Sequence, residues 1–437
     1  MSEQLKKEIR VAVLPFHIFS SEEELSPLIL GFTDDLIANL SKFIGLSVIS
    51  QLSSYKIKNS ASDEITGMLG VDYLITGSFR KSVESVRINI QLNRMTDKSV
   101  IFTKQYNDSL DNILQTQDTI IVQIVSILQK QIDYDILSFS YQKKKVELAA
   151  YENWLLGMSY LKKGSLRYDL KARNCFEEAL KIDPYFARAY SGLSLSYFNE
   201  WSCQLWDRWD VNKKGAHNYA LKALEYDEND YISLTVLGRT YLYSEEFEKA
   251  EHYVRKSLRM NPNDADNLIQ VAFTLMYLGF ANESVKLYEK ANELNPLHQD
   301  DYFGYGSNFY FETGQFEKSL HLGKTVSSRN TWVDFPVYMA GIYFHLGDYE
   351  NMEVQWRLFL ERFKSHINKD SAINEREALV WHKNINPYKK NTNLKEFWNY
   401  IEKKLVQFLF SNKAPKQKKK LQGLNKMEKC GNCRIRE

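Results

Sequence analysis

Cys430-Gly-Asn-Cys433 is the sharpest pair of chemically able side chains in the sequence. Thiolates at this spacing chelate zinc or close a reversible disulfide. A tetrahedral zinc site needs two more ligands, and residues 411–437 hold no third cysteine and no histidine. The pair therefore reads as incidental, unless two chains share a site. Gly323-Lys324-Thr325 ends like a phosphate-binding loop, but Lys318 stands where the loop's first glycine belongs. Gly304-Tyr305-Gly306 lacks the third glycine of a dinucleotide loop and follows no strand-like run. The eight histidines are scattered singly. Asp34-Asp35 invites a metal reading, yet acidic residues near the start of a helix suit its dipole. The sequence thus predicts no enzyme, no cofactor, no metal site, and neither binding nor turnover of ATP.

Self-similarity says what positions the remaining side chains. Leu234, Leu237, Gly238, Tyr241, Ala250, Val254, Ser257 and Pro262 return as Leu268, Val271, Ala272, Leu275, Ser284, Tyr288, Ala291 and Pro296. From Pro262 to Pro296 the period is 34 residues, the tetratricopeptide length. Gly238, Ala272, Ala250 and Ser284 are small where two helices must approach closely. Proline ends the second helix, since it has no N–H to continue the ladder. Copies precede this pair around Trp154, Gly157, Ala172 and Phe176, then around Tyr190, Leu193, Ala216 and Ala220. A shifted copy follows at Phe303, Ser307, Tyr310 and Ser319, and a degenerate one at Tyr343, Gly347 and Trp356. The expected layout is about six repeats over 146–365, capping helices over 366–410, and a basic disordered tail over 411–437.

Stacked helix pairs make a superhelix whose concave face is lined by the first helix of each pair. The register places Arg188, Arg239, Gln270, Phe273, Tyr277, Asn308 and Phe311 on that face, as a peptide-binding groove. Arg239, Phe273 and Asn308 are expected to face solvent, outside the helix–helix seam. A two-carboxylate clamp for an acidic chaperone tail would need lysine where Thr235, Ile269 and Gly304 stand, so an apolar or mixed peptide fits better. An insertion in the second repeat carries Trp201, Trp206 and Trp209. These form either a recognition patch or, the preferred reading, a loop packed onto the array, because exposed tryptophans invite aggregation.

The first 140 residues follow another period. Val86, Ile88, Ile90 and Leu92 alternate with polar residues, as in a half-exposed strand. Residues 11–14, 46–49, 71–75 and 100–103 are further strand candidates, and Ile29, Phe32, Leu36, Ile37, Leu40 and Phe43 recur at helical spacing. Ser21 with Glu24 suits a capping box for that helix. The order reads β-α-β-α-β-β-β-α over 9–140, after a disordered start at 1–8. The fold class is therefore α+β: a small α/β sheet domain followed by an all-α repeat superhelix. Gln142-Lys143-Lys144-Lys145 marks the boundary, and a fragment from Val146 is expected to fold alone.

The runs Val11-Ala-Val-Leu-Pro-Phe16, Gly31-Phe-Thr-Asp-Asp-Leu36 and Gly70-Val-Asp-Tyr-Leu-Ile-Thr-Gly-Ser-Phe-Arg80 resemble the domain related to the amino-terminal domain of the translocation protein TolB. The resemblance extends through the Trp-rich insertion to Asn386-Pro387-Tyr388. In that family the pair of units follows a class III adenylyl/guanylyl cyclase domain or a winged-helix DNA-binding domain. The resemblance implies a regulatory or scaffolding role. Here the sequence begins directly at the α/β domain, so no catalytic activity is carried over.

Bulk properties agree with an interaction protein. The 437 residues carry a net charge of +2, with nine Lys or Arg against two Glu from Lys413 onward. The tail is basic and the body mildly acidic. The Lys418-Lys419-Lys420 run has no interleaved aromatics for base stacking, so nucleic acid is not an expected partner. Four cysteines make no disulfide framework, no run nears the roughly 18 apolar residues of a span, and residues 1–8 hold no signal core. Cytoplasm is the expected location, and the sequence sets no oligomeric state. The expected function is a peptide-binding scaffold in bacterial signalling or regulation. The alternative is a regulator of a separately encoded adenylyl cyclase or transcription regulator.

Overall fold

A computed structural model describes residues 9–18, 26–43, 46–57, 62–81, 85–109, positions between 112 and 124, 148–161, 166–202, 209–298, 300–326, 332–367, 374–390 and 392–407. The Ser21–Glu24 capping box, the 141–147 boundary, Trp206, the tail and Cys430 with Cys433 lie outside the described residues.

The first unit comprises β1 (Ile9–Val13), β2 (His17–Ile18), α1 (Ser26–Leu40), β3 (Leu46–Val48), α2 (Gln51–Lys56), α3 (Ser62–Leu69), β4 (Tyr73–Lys81), β5 (Val86–Arg94) and β6 (Val100–Asp108). The strand order is β3-β1-β4-β5-β6, with β2 beside β4. β1 runs parallel to β3 and β4, and β4, β5 and β6 form an antiparallel meander. The short β2 is an addition to the expected order, and the single helix expected between β3 and β4 is the pair α2 and α3. β5 alternates as its sequence dictates: Val86, Ile88, Ile90 and Leu92 are buried, while Arg87 and Gln91 are exposed. Strand β1 is buried on both faces. Val11 and Val13 enter the core under α1, whereas Ala12 joins Ile49, Ile57, Ile65 and Leu69 beneath α2 and α3. That is what a parallel strand between two helical layers requires.

The second unit is a run of helix pairs: α4 (Leu148–Leu161) with α5 (Leu166–Ile182), α6 (Ala187–Ser202) with α7 (Trp209–Tyr226), and α8 (Tyr231–Leu242) with α9 (Phe247–Met260). Then come α10 (Ala265–Leu278) with α11 (Ala281–Leu294), α12 (Asp301–Glu312) with α13 (Phe316–Thr325), and α14 (Phe335–His345) with α15 (Tyr349–His366). Helices α16 (Glu375–Asn384) and α17 (residues 393–407) follow. Ala250, Ala272 and Ser284 are fully buried at the helix contacts, and a Cβ on Gly238 would lie 2.3 Å from the Val254 side chain. The expected α+β class, sheet unit then repeat superhelix, is the observed one.

The two units are packed together. Gly31 on α1 admits the Leu155 side chain of α4 so closely that a Cβ there would overlap it. Ala150, Tyr151, Leu155 and Phe186 of the repeats share one core with Phe32, Leu36, Ile75 and Ile90 of the sheet unit. Asp35 is buried mid-helix in α1, where it accepts hydrogen bonds from Tyr151 Oη (2.8 Å) and Arg188 Nη1 (2.5 Å). It thus does not serve the dipole of a first turn. Farther along, the C-cap residues of α9 and α11, Asn261 and Asn295, receive the other edge of the sheet unit. Asn261 bonds Ser41 Oγ (3.0 Å) and Asn295 accepts from Ser53 Oγ (2.7 Å). Asn263 donates to the Phe43 carbonyl, and Lys56 to that of Leu297.

The last helices do more than cap the end. Residues 385–390 and 392–400 run back along the C-terminal ends of the first helices. Lys389 N–H bonds the Tyr277 carbonyl, Asn393 bonds Phe311 O and Glu312, and Phe397 packs under Gly341 and Phe344. Gly279, at φ 92°, ends α10 in the left-handed region directly against the Lys390 side chain.

Glu312 sits under this return, and burial raises its carboxyl to about 7. The folded chain therefore holds a proton that the unfolded chain releases above its ordinary value of 4.5. Stability is fully present below about 4.5 and is lost as pH rises to about 7. Glu312→Gln should remove this slope and stabilise the protein at pH 8 by roughly 3 kcal/mol. Urea unfolding of both proteins at pH 5 and 8 measures it, and an unchanged difference between the two pH values would count against it.

Candidate functional site

A recess opens on the concave side, between the first helices of four consecutive repeats. It is lined by Arg239 and Tyr243 from α8 and its end, Phe273 and Tyr277 from α10, and Tyr305 and Asn308 from α12. Trp332, Asp334 and Phe335 close one side, and Trp201 with Trp209 another. The 34-residue spacing brings Arg239 and Phe273 together, because equivalent positions on adjacent first helices become neighbours when pairs stack. The guanidinium carbon of Arg239 lies 4.6 Å from the Phe273 ring centroid, 5.5 Å from Phe198 and 5.8 Å from Tyr243. Cation–π attraction of this kind strengthens as water is excluded.

The polar atoms of the recess are incompletely satisfied. Arg239 is 4 % exposed, its guanidinium hydrogen-bonds the Tyr243 side chain, and its Nη1 makes a long 3.4 Å contact to Gln270 Oε1. Its Nε is buried without a hydrogen-bond partner, as are Trp201 Nε1 and Asn308 Oδ1. Among the described residues no carboxylate lies within ion-pair distance of the Arg239 guanidinium. Burial raises the Tyr243 hydroxyl above its ordinary range, with the Arg239 cation opposing and the Asp334 charge adding.

The seven residues assigned to the groove from sequence fall into three groups. Arg239, Phe273, Tyr277 and Asn308 line the recess, with Gln270 bonded to Arg239 at its edge. The expectation of a solvent-facing position needs correction for Arg239 and Asn308, and the groove position of Tyr277 is likewise covered. Arg239, Asn308 and Tyr277 are 4 %, 3 % and 1 % exposed, because aromatic side chains of neighbouring helices and the returning 385–390 segment cover them. Phe311 is fully buried, packed on Phe316, Tyr338 and His345. Arg188 faces the sheet unit through Asp35. Tyr305, Trp332 and Asp334 went unread because the repeat register slips by one in α12 and the α13–α14 connection departs from the motif, and Tyr243 because it caps α8 just past the positions that repeat. Trp201 is 1 % exposed against Phe198, Trp209 and Tyr243, so this part of the insertion is packed.

Comparison with known proteins places two segments. Residues 231–264, which are α8, α9 and their closing loop, match the tetratricopeptide repeat. The chain contains tetratricopeptide repeats. Residues 7–123 match the second domain of HilA/YgeH-like transcriptional regulators. This match covers the unit in which the sequence suggested a TolB likeness, and it names a different family. A protein of Rhizobium meliloti (strain 1021) whose name proposes it as an adenylate cyclase 3 is 28% identical over 255 residues. The alignment covers 57% of this chain and 43% of that protein, so the chain spans less than half of its length. BBSome complex member BBS4 of Bos taurus is 25% identical over 118 residues, 26% of this chain and 22% of that one. Among solved structures, an IFIT1 monomeric mutant with Gppp-AAAA is similar at TM-score 0.43 and 15% identity, covering 68% of this chain and 70% of that one. The Pseudomonas aeruginosa PilF protein is similar at TM-score 0.36 and 15% identity, over 53% of this chain and 97% of that one. No helix among the described residues is long and apolar enough to cross a membrane.

Proposed function

We propose that the chain is a non-enzymatic bacterial scaffold that works in the cytoplasm and captures a segment of a partner protein on its concave face. Tetratricopeptide repeats make it a protein-interaction scaffold in the general sense. The observation that carries the finer reading is the aromatic recess between α8, α10, α12 and α14. Residues 385–390 cover the neighbouring Tyr277, and Ile385 joins the lining of the recess itself. Trp, Tyr and Arg, which line it, are the residues that concentrate binding energy at interfaces. The groove-wide peptide path expected from sequence narrows accordingly to this recess. A second reading is supported by the match to a transcriptional-regulator domain and by the relative named for a cyclase. In it the captured protein is a separately encoded transcription regulator or adenylyl cyclase, and the sheet unit carries the regulatory contact.

A photo-crosslinking amino acid in place of Phe273, and in a control protein in place of the exposed Val354 of α15, tests the site in cells of the source organism. A discrete partner should crosslink at 273 and not at 354. Equal products at both positions, or none at 273, would remove the concave face from the function.

A further inference from the structure

Resting on the concave-face reading, we infer that the recess binds an aromatic residue through its α-carboxylate and the N–H beside it. The unmatched groups set the chemistry. Arg239 Nε and Trp201 Nε1 are two buried donors lacking acceptors, and Asn308 Oδ1 is a buried acceptor lacking a donor. All three line the same cavity. Buried polar groups are ordinarily hydrogen-bonded, and a buried guanidinium without a counter-charge is costly. A carboxylate answers both donors and gives Arg239 the ion-pair partner it lacks among the described residues. An N–H one or two bonds away answers the acceptor. The cavity measures about 50 Å³, suited to a carboxylate-sized group and too small for a whole ring. The ring of such a ligand then stays at the mouth, where Trp209, Phe273, Tyr305 and Trp332 are only half-buried. Tyr305 and Trp332 meet edge to face at 4.9 Å, as do Phe273 and Tyr305 at 5.1 Å, the geometry that a further ring at the mouth would extend.

Asp334 also lines the recess and carries a negative charge. Two sources could bring this chemistry. A free aromatic amino acid would bring an ammonium group for Asn308 Oδ1 to accept from. The last residue of a partner peptide would bring only a neutral amide N–H, for Asn308. This recess differs from a two-carboxylate clamp, because one guanidinium works inside an aromatic box and the lysine positions of such a clamp are Thr235, Ile269 and Gly304.

Isothermal titration of the full chain tests the inference with four probes: phenylalanine, N-acetylphenylalanine, N-acetylphenylalaninamide, and a hexapeptide ending in phenylalanine. At least one of the three carboxylates should bind saturably, and the amide at least tenfold more weakly. Phenylalanine binding far above its N-acetyl form assigns a free amino acid, and the reverse assigns a peptide terminus. Arg239→Gln should weaken the bound carboxylate at least tenfold, with Arg239→Lys intermediate. Equal binding of the acid and the amide overturns the inference, as does the absence of carboxylate binding at millimolar concentration. The acid–amide comparison uses the unaltered protein, so it stands even where Arg239→Gln fails to fold. A partner crosslinked at position 273 together with equal acid and amide binding would retain the concave face and reject only this chemistry.

Discussion

Glu200→Ala destabilises the protein by about 3–5 kcal/mol, the cost of leaving one member of a buried ion pair without the other. Arg173 of α5 and Glu200 of α6 meet at 2.5 Å, with side chains only 5 % and 1 % exposed. The guanidinium also donates to Ser196 Oγ at 2.9 Å and lies 3.7 Å from the centroid of the Tyr197 ring. Removing Glu200 leaves these contacts but strands the positive charge between two helices. Asp169 then becomes the nearest remedy. Its carboxyl is raised to about 6, chiefly by burial, with the Arg173 charge opposing and the Glu200 charge adding. Without Glu200 that added repulsion disappears, so Asp169 ionises more readily and can balance Arg173. The loss from Glu200→Ala should therefore be larger at pH 5, where Asp169 is protonated, than at pH 7.5. Denaturant unfolding at the two pH values reads both the size and the difference. A loss below 1 kcal/mol at pH 5 would falsify the ion pair as a supporting element of the first repeats.

The parts of this structure that sequence made legible are those governed by short-range periodicity. The alternation of Val86, Ile88, Ile90 and Leu92 is enforced by the pleat, and the 34-residue return of small residues by helix contact within and between pairs. Both patterns say which face of an element is apolar. Neither says what covers that face. Tyr277 and Phe311 were correctly placed on first helices, but the chain returns from more than 70 residues away to bury them. Such a return leaves no periodic trace, since Asn386 and Asn393 look like ordinary turn and cap residues. Asn261 and Asn295 present the same difficulty. An asparagine before or after a proline at a helix end reads as local capping, whereas here both side chains hold the sheet unit. For Arg239 the helix and the face were legible, and its burial was not. Burial there depends on Trp201, Tyr305 and Trp332, which come from an insertion, a slipped register and an irregular connection.

The same distinction governs how separable the two units are. A change of period near residue 140 marks where sheet gives way to helices, and it suggests a fragment from residue 146 that folds alone. The shared core argues for a different outcome. Tyr151, Leu155 and Phe186 are 1 %, 4 % and 5 % exposed, and their cover includes α1 and the sheet. Exposing three such side chains costs roughly 5–9 kcal/mol at about 1.5–3 kcal/mol each, comparable with the whole stability of a domain. Tyr151 and Arg188 would also lose Asp35. Repeat arrays divide such a loss unevenly, because each pair is held mainly by its neighbours. The 146–437 fragment should therefore keep α8 to α17 folded while α4 and α5 melt. Amide exchange in residues 148–182 should become fast, and exchange in 231–345 should remain as slow as in the full chain. Full protection of 148–182 in the fragment would show that the repeats stand without the sheet. Loss of protection throughout 231–345 would show that the contacts at Asn261 and Asn295 hold up the central repeats as well.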